Sequence, residues 1–215
     1  MAADSAGQLL KRWAAAGQDC ALCGAGASPS LVCAECERRM PACFDDTPLE
    51  AIEVCAAFDY RFPVDRLVHR FKFAGDLAIG RWLATRLAQR VQSLPRPDLI
   101  VAPPLTRAGL RRRGFNQALE IAKVVGRAHG LRVSLDALVK TRETEPQPSL
   151  GAEERRRNLR DAFTCRADLR GLAVAIVDDV ITTGGTVLAI AQALRAAGAA
   201  NVCAWSVART PPPGR

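Results

Sequence analysis

Residues 174–187 read VAIVDDVITTGGTV. The apolar run Val174–Val177 predicts a strand that is buried on both faces, as in a parallel sheet. Two adjacent carboxylates, Asp178 and Asp179, follow this strand, and apolar periodicity from Val187 to Ala197 predicts a helix. A strand that runs through a short turn into a helix is typical of an α/β fold, so the sequence predicts a parallel sheet flanked by helices.

The turn itself is small and rich in hydroxyl groups. It consists of Thr182, Thr183, Gly184, Gly185 and Thr186. At a helix N-terminus, unpaired N–H groups and the helix dipole favour an anion, and glycine allows the backbone to approach it closely. With two carboxylates beside it to accept hydrogen bonds from sugar hydroxyls, the turn indicates a sugar-phosphate site. The alternative is a glycine-rich turn without a ligand, which does not explain the acidic pair.

Overall composition sets limits on the class of protein. The 215 residues suffice for one ordinary domain and a small appendage, and the net charge is +8. This excess suits phosphate-rich ligands or nucleic acid, although an arginine-rich composition can also reflect base bias in the genome. No secretory signal or uninterrupted apolar run of membrane-spanning length is found, so we expect a cytoplasmic protein without membrane contact.

Eight cysteines in a cytoplasmic chain favour metal binding over disulfides. Cys20 and Cys23 form one Cys-x2-Cys pair, and Cys33 and Cys36 form a second one after nine residues. Two such pairs supply the four thiolates of a closed, structural zinc site, to which we assign no catalytic role. A redox pair or free thiols would leave the doubled spacing unexplained. Cys43 and Cys55 lack Cys-x2-Cys partners and are interpreted as non-ligands.

A second basic region follows the predicted strand Leu99–Ala102. It contains Arg107, Arg111, Arg112 and Arg113 in a loop before a predicted helix at 116–129. A strand followed by an arginine cluster and a helix indicates a second anion site in the same sheet, and a solvated basic face is the alternative. Residues 140–163 are predicted to form a lid with a charged helix at 150–159, and the alternative is a disordered connector.

Basic and aromatic side chains alternate between Tyr60 and Asp76. One interpretation is an edge that contacts phosphate or nucleic acid, with Lys72 as a minor candidate for ligand contact. The favoured interpretation is a short amphipathic helix whose aromatic rings belong to the core.

The stretch 174–187 resembles the 5-phosphoribosyl-1-pyrophosphate (PRPP) signature of type I phosphoribosyltransferases. The chain as a whole resembles the ComF family, which includes GntX-type proteins, over about residues 18–209. The resemblance is carried by the four paired cysteines, the segments 67–73 and 111–117, Thr144, Gln147, Leu150, Arg155, Asn158 and Phe163, and the acidic pair with residues 182–186.

This resemblance implies a zinc-ribbon-like module at residues 1–50 and a domain of the type I phosphoribosyltransferase fold at residues 51–215. It implies that Asp178 and Asp179 hold the ribose and organise Mg²⁺. It further implies that residues 182–186 hold the 5-phosphate and that Arg107 and Arg111–Arg113 stabilise pyrophosphate.

Two functions remain open from the sequence. The first is Mg²⁺-dependent transfer of phosphoribosyl from PRPP to a nitrogen acceptor. The second is a non-catalytic PRPP- or nucleotide-binding accessory role in DNA uptake and natural competence. A helicase-like ATPase is the partner implied by the family, and single-stranded DNA is a further candidate partner.

Overall fold

The computed structural model describes residues 19–26, 30–141 and 162–211. These residues fall into two compact units, one up to Met40 and one from Pro41. The first unit contains α1 (Ala34–Arg38). The second contains β1 (Glu53–Asp59), α2 (Val64–Phe73), α3 (Leu77–Val91), β2 (Leu99–Val101), α4 (Arg107–Arg113), α5 (Gln117–His129), β3 (Arg132–Val133), β4 (Leu138–Lys140), β5 (Phe163–Cys165), β6 (Ala173–Ile181), α6 (Gly185–Ala196) and β7 (Asn201–Arg209).

The predicted boundary between two domains at residue 50 stays a prediction, because the compact units describe contacts rather than independent folding. Residues 41–50 form contacts within the second unit. The backbone N–H of Cys43 donates to Ala57 of β1 at 3.1 Å. Arg209, at the end of β7, is 8% exposed and donates to the carbonyls of Asp45 and Thr47.

A five-stranded sheet of order β1-β7-β6-β2-β3 forms the core of the second unit, and every neighbouring pair is parallel. This confirms the predicted parallel sheet flanked by helices. The strands β4 and β5 form a separate antiparallel pair. In the sheet β6 lies between β7 and β2, so its residues 174–177 are fully buried, as the apolar run predicts.

Helices cover both faces of the sheet. On one face, Val174 and Ile176 of β6 pack with Val187 and Ile190 of α6. On the other face, α5 packs against β2, because a side chain at Gly126 would meet Ile100 and Val133. Among the described helices, none is both long enough and apolar enough to cross a membrane.

Three predicted elements have different limits in the structure. Strand β6 continues past Val177 through both aspartates to Ile181, and α6 begins at Gly185 rather than Val187. The arginine-rich loop is instead the short helix α4, because Thr106 caps its first turn and Gly114 ends it in the left-handed conformation. The predicted helix 150–159 and most of the predicted lid lie outside the described residues.

Aromatic side chains between Tyr60 and Asp76 do not all belong to the core. Phe71 is 1% exposed, as expected of an amphipathic helix, and its ring lies 5.4 Å from that of Phe115. In contrast, Phe62 and Phe73 are 76% and 66% exposed. The prediction of core aromatics is therefore wrong for these two. Phe62 precedes α2, and Phe73 lies outside the buried face of the helix, which consists of Val64, Leu67, Val68 and Phe71.

The turn between β6 and α6 requires glycine at position 184. Gly184 has φ +77°, and a Cβ there would overlap the side chain of Leu49. Gly171 has φ +76° with open space around its Cβ position. The two glycines therefore share one backbone constraint but differ in their surroundings.

We expect Gly184→Ala to destabilise the protein more than Gly171→Ala. The left-handed backbone conformation costs about 1–2 kcal/mol for alanine at both positions. Overlap with Leu49 adds about 1–3 kcal/mol at Gly184 alone. Thermal denaturation of both variants measures the difference, and equal losses of Tm would contradict the packing argument.

Candidate functional site

The candidate site lies at the carboxyl edge of the sheet, where β6 passes into α6. Asp178 and Val180 line a pocket of about 160 Å³ together with the turn and the start of α6. The turn residues in this lining are Thr182, Thr183, Gly184, Gly185 and Thr186. The structure therefore brings Asp178 together with the five residues of the candidate phosphate loop.

This loop leaves the beginning of α6 open to an anion. Gly184 is the N-cap residue and offers no side-chain hydrogen bond to the first turn. The twelve-residue helix has no acidic residue in its first turn. Its first N–H groups and its dipole therefore favour an anion at this position.

The two aspartates face opposite sides of the sheet, because successive residues of a strand alternate. Asp178 lies on the α6 face, in line with Val174 and Ile176. Asp179 is 8% exposed, and its carboxylate lies 3.0 Å from the ammonium of Lys72 on α2. Each carboxylate also accepts a hydrogen bond from the backbone N–H of the next residue, at 2.8 Å for Asp178 and 2.7 Å for Asp179.

Burial is the main reason that the pKa of Asp178 rises to about 7, and the negative charge of Asp179 adds to the effect. The backbone N–H of Asp179 and the charge of Lys72 act in the opposite direction. Near neutral pH, the site thus gains from a cation or a hydroxyl donor that stabilises the ionised form of Asp178. Of the two carboxylates, Asp178 lines this pocket, and a carboxylate is an oxygen ligand of the kind that Mg²⁺ binds.

Lys72, which the sequence offers as a minor candidate for ligand contact, lies beside the acidic pair in the structure. It follows the buried Phe71 on α2 and is separated from Asp179 by more than one hundred residues in sequence. The available signal was composition: Lys72 is one of only four lysines in a chain rich in arginine. No local pattern in the sequence indicates that its partner is the second aspartate.

The arginines follow the neighbouring strand β2, which pairs with β6 in parallel register at Val101 and Ile176. They therefore emerge at the same edge of the sheet as the phosphate loop. Arg107, Arg111 and Arg112 of α4 are exposed, whereas Arg113 is half-buried and donates to Gln117 at 3.2 Å. All four arginines are described by the structure, and none of them lines the pocket at Asp178.

A separate candidate metal centre lies in the first unit. The Sγ atoms of Cys20, Cys23, Cys33 and Cys36 all lie within 4.8 Å of one another. The Sγ atoms of Cys23 and Cys33 are 3.8 Å apart. Zinc–sulfur bonds of about 2.3 Å place tetrahedral sulfurs about 3.8 Å apart, so the cluster has the dimensions of a four-thiolate zinc site.

Thiol electrostatics in this cluster also favour a cation. The pKa of Cys36 rises to about 12, chiefly through its hydrogen bond with Cys23 and through desolvation. For Cys20, burial raises the pKa, but hydrogen bonds from backbone N–H groups outweigh it and lower the pKa to about 6. One thiolate forms readily, but its negative charge opposes ionisation of the next thiol. Four thiolates together therefore require a bound cation. Cys43 and Cys55 lie outside this group.

We expect Cys20→Ser to remove the bound metal and destabilise the first unit, because three thiolates do not complete the tetrahedron. Elemental analysis of the purified full chain measures metal per protein. Cys165→Ser is the matched control, since Cys165 is a free thiol outside the cluster. Full metal content in Cys20→Ser would exclude this ligand set.

We expect Asp178→Asn to stabilise the ligand-free protein at pH 8. The folded protein holds the Asp178 proton up to about pH 7, whereas an unfolded aspartate releases it near pH 4. Ionisation of Asp178 therefore reduces stability as the pH rises from about 4 through about 7. Asparagine does not ionise, so the substitution should raise the free energy of unfolding at pH 8 by roughly 1–4 kcal/mol.

Thermal denaturation at pH 5 and pH 8 tests this expectation. The gain in Tm should be large at pH 8 and small at pH 5. Asp168→Asn is the control, because Arg170 lowers the pKa of Asp168 and no gain is expected. Equal gains at both pH values would show that burial of the Asp178 charge is not the cause.

Comparisons with known proteins agree with this architecture. A family model of the phosphoribosyl transferase domain matches residues 79–211. DNA utilization protein YhgH of Salmonella typhi is 37% identical over 198 residues, which cover 89% of this chain and 84% of the relative. Competence protein F of Haemophilus influenzae is 34% identical over 159 residues, 70% of this chain and 69% of the relative.

Among solved structures, the allosteric regulatory enzyme of purine biosynthesis is 26% identical, with a TM-score of 0.42 over 60% of this chain and 25% of that chain. The parallel sheet and the match to the family model establish the fold without this likeness. The sequence identities of 37% and 34%, over 89% and 70% of this chain, establish its family. The chain belongs to the phosphoribosyl transferase domain family and, within it, to the ComF group with YhgH and Competence protein F.

Proposed function

We propose that the protein binds PRPP with Mg²⁺ at the carboxyl edge of the sheet and transfers its phosphoribosyl group to a nitrogen acceptor. The observation that carries this proposal is the pocket that Asp178 shares with residues 182–186. A pocket of about 160 Å³ is smaller than the usual ligand pocket of about 300–1,000 Å³. It would therefore hold the phosphate end of the ligand, with the remainder lying along the edge of the sheet.

In the proposed reaction, the bond between C1 of ribose and the pyrophosphate oxygen breaks, and pyrophosphate leaves with the electron pair. A bond from C1 to the acceptor nitrogen forms, and that nitrogen loses its proton to solvent. This direct displacement requires positioning and charge stabilisation rather than a protein nucleophile. Bound Mg²⁺ would supply positive charge to the pyrophosphate.

Each group of residues has a separate role in this proposal. Asp178 would accept hydrogen bonds from the ribose hydroxyls and supply a carboxylate to Mg²⁺, while the ion pair with Lys72 would hold Asp179 on the opposite face of the sheet. The backbone N–H groups and hydroxyls of residues 182–186 would hold the 5-phosphate. Arg107 and Arg111–Arg113 would stabilise the leaving pyrophosphate, a role that suits the exposure of Arg107, Arg111 and Arg112.

A second candidate function is a PRPP- or nucleotide-binding accessory role without turnover. The specific observation in its favour is the pair of relatives named for DNA utilization and competence. In that case a helicase-like ATPase and single-stranded DNA are the proposed partners in the cytoplasm. The first unit, with zinc as the proposed ion at its four cysteines, would then support assembly.

Phosphorus NMR of PRPP with Mg²⁺, the purified full chain and a pool of nucleobases tests both functions. Base-dependent release of pyrophosphate is expected for a transferase. Broadened PRPP signals without release would favour the accessory role. PRPP signals unaffected by the protein would contradict both.

We expect the double variant Asp178→Asn with Asp179→Asn to lose PRPP binding by at least about 100-fold, since both carboxylate charges are removed. Titration calorimetry with Mg²⁺ and PRPP measures the affinity. Asp168→Asn, an exposed aspartate outside the site, is the control for loss of negative charge. Affinity equal to that of the wild type in the double variant would contradict the assignment of the ribose site.

A further inference from the structure

The ion pair between Lys72 and Asp179 differs from a second lysine ion pair in the structure. The side chains of Lys72 and Asp179 are 20% and 11% exposed, with a separation of 3.0 Å. Lys123 and Glu120 on α5 form a pair at 2.7 Å, but their side chains are 44% and 40% exposed. Solvent screens the exposed pair, whereas the buried pair interacts strongly and is expensive to break.

The position of Lys72 is set by the packing of α2. Val64, Leu67, Val68 and Phe71 form its buried face at helical spacing. Phe71 packs closely on α3, since a Cβ at Gly80 would overlap its ring. Lys72 follows Phe71 directly, so the anchored helix presents the ammonium to the face of the sheet on which Asp179 lies.

We infer that Lys72 is a positioning residue that holds Asp179 on the α2 face of the sheet and leaves Asp178 as the carboxylate that meets the sugar. Asp179 has its carboxylate engaged by the Lys72 ammonium and by the N–H of Val180. Asp178 lines the pocket with the phosphate loop. The two adjacent aspartates therefore differ in their surroundings, because Asp179 is paired with α2 and Asp178 lines the pocket.

This inference deepens the proposed function and in its second half rests on it. Its first half, the coupling of Lys72 to Asp179, concerns the ligand-free protein alone. If the pair is a positioning device, removal of either partner should have the same effect on the ligand, because both changes remove one interaction. Removal of Asp178 should have a different and larger effect.

The first experiment is a double-mutant cycle on thermal stability in the ligand-free full chain. Lys72→Met should lower Tm by roughly 5–10 °C, because it leaves the Asp179 charge buried without its partner. The same change should lower Tm much less when Asp179 is already asparagine. Lys123→Met is the matched control and should change Tm by about 1 °C or less. Additive losses of Tm in the cycle would overturn the inference, whatever the protein does with PRPP.

The second experiment measures PRPP affinity with Mg²⁺ for the same variants by calorimetry. Lys72→Met and Asp179→Asn should each weaken binding by about 10-fold, and their combination by no more than either alone. Asp178→Asn should weaken it by at least about 100-fold, and Lys72→Arg should keep it within about 3-fold of the wild type. The double variant Lys72→Met with Asp179→Asn should regain stability and still bind PRPP more weakly than the wild type. This result would separate the loss of affinity from a loss of folding.

The results distinguish failure of the inference from failure of the proposed function. A wild-type protein that does not bind PRPP but shows coupling in the stability cycle would contradict the proposed function and support the pairing. Wild-type PRPP affinity in Lys72→Met would overturn the positioning role while the proposed function stands. A loss in Asp179→Asn as large as that in Asp178→Asn would also overturn it, because the carboxylates would then be equal.

Discussion

Alternation of side chains along β6 is the constraint on which the site depends. Because Asp178 and Asp179 are neighbours on an extended strand, they face opposite sides of the sheet. Asp178 reaches the pocket at the start of α6, and Asp179 reaches Lys72 on α2. Two neighbouring carboxyl groups therefore lie in two different environments. The helix α6 forms part of the surroundings of Asp178, and α2 forms part of those of Asp179.

The parallel sheet explains why this arrangement lies at one edge. Parallel strands end on the same side, so the turn after β6 and the basic helix after β2 emerge together. The central position of β6 buries the strand that carries the aspartates, and burial is the main cause of the raised pKa of Asp178. The same burial that stabilises the sheet therefore makes the site responsive to cations and hydrogen-bond donors.

Local patterns predicted the parts of this structure that local physics determines. The apolar run of β6, the glycine turn and the paired cysteines each contain their own signal within about fifteen residues. The pairing of Lys72 with Asp179 contains no such signal, because it arises from the packing of α2 on the sheet. The exposure of Phe73 has the same origin: its helix has one buried face, and Phe73 lies outside it. The helix at α4 could have been predicted from Thr106 and Gly114, which are ordinary capping residues.

The two candidate anion sites at this edge differ in how far they are prepared for a ligand. At the start of α6, backbone N–H groups are fixed by the helix, so binding a phosphate requires little ordering. On α4, three of the four arginines have exposed side chains that would lose conformational freedom on binding, and salt screens their charges. In the proposed function, binding of the phosphate group would therefore depend on the rigid part of the site, whereas stabilisation of a leaving pyrophosphate would depend on exposed side chains. Under the proposed function, affinity for PRPP and release of pyrophosphate would therefore depend on different parts of the site and can be measured separately.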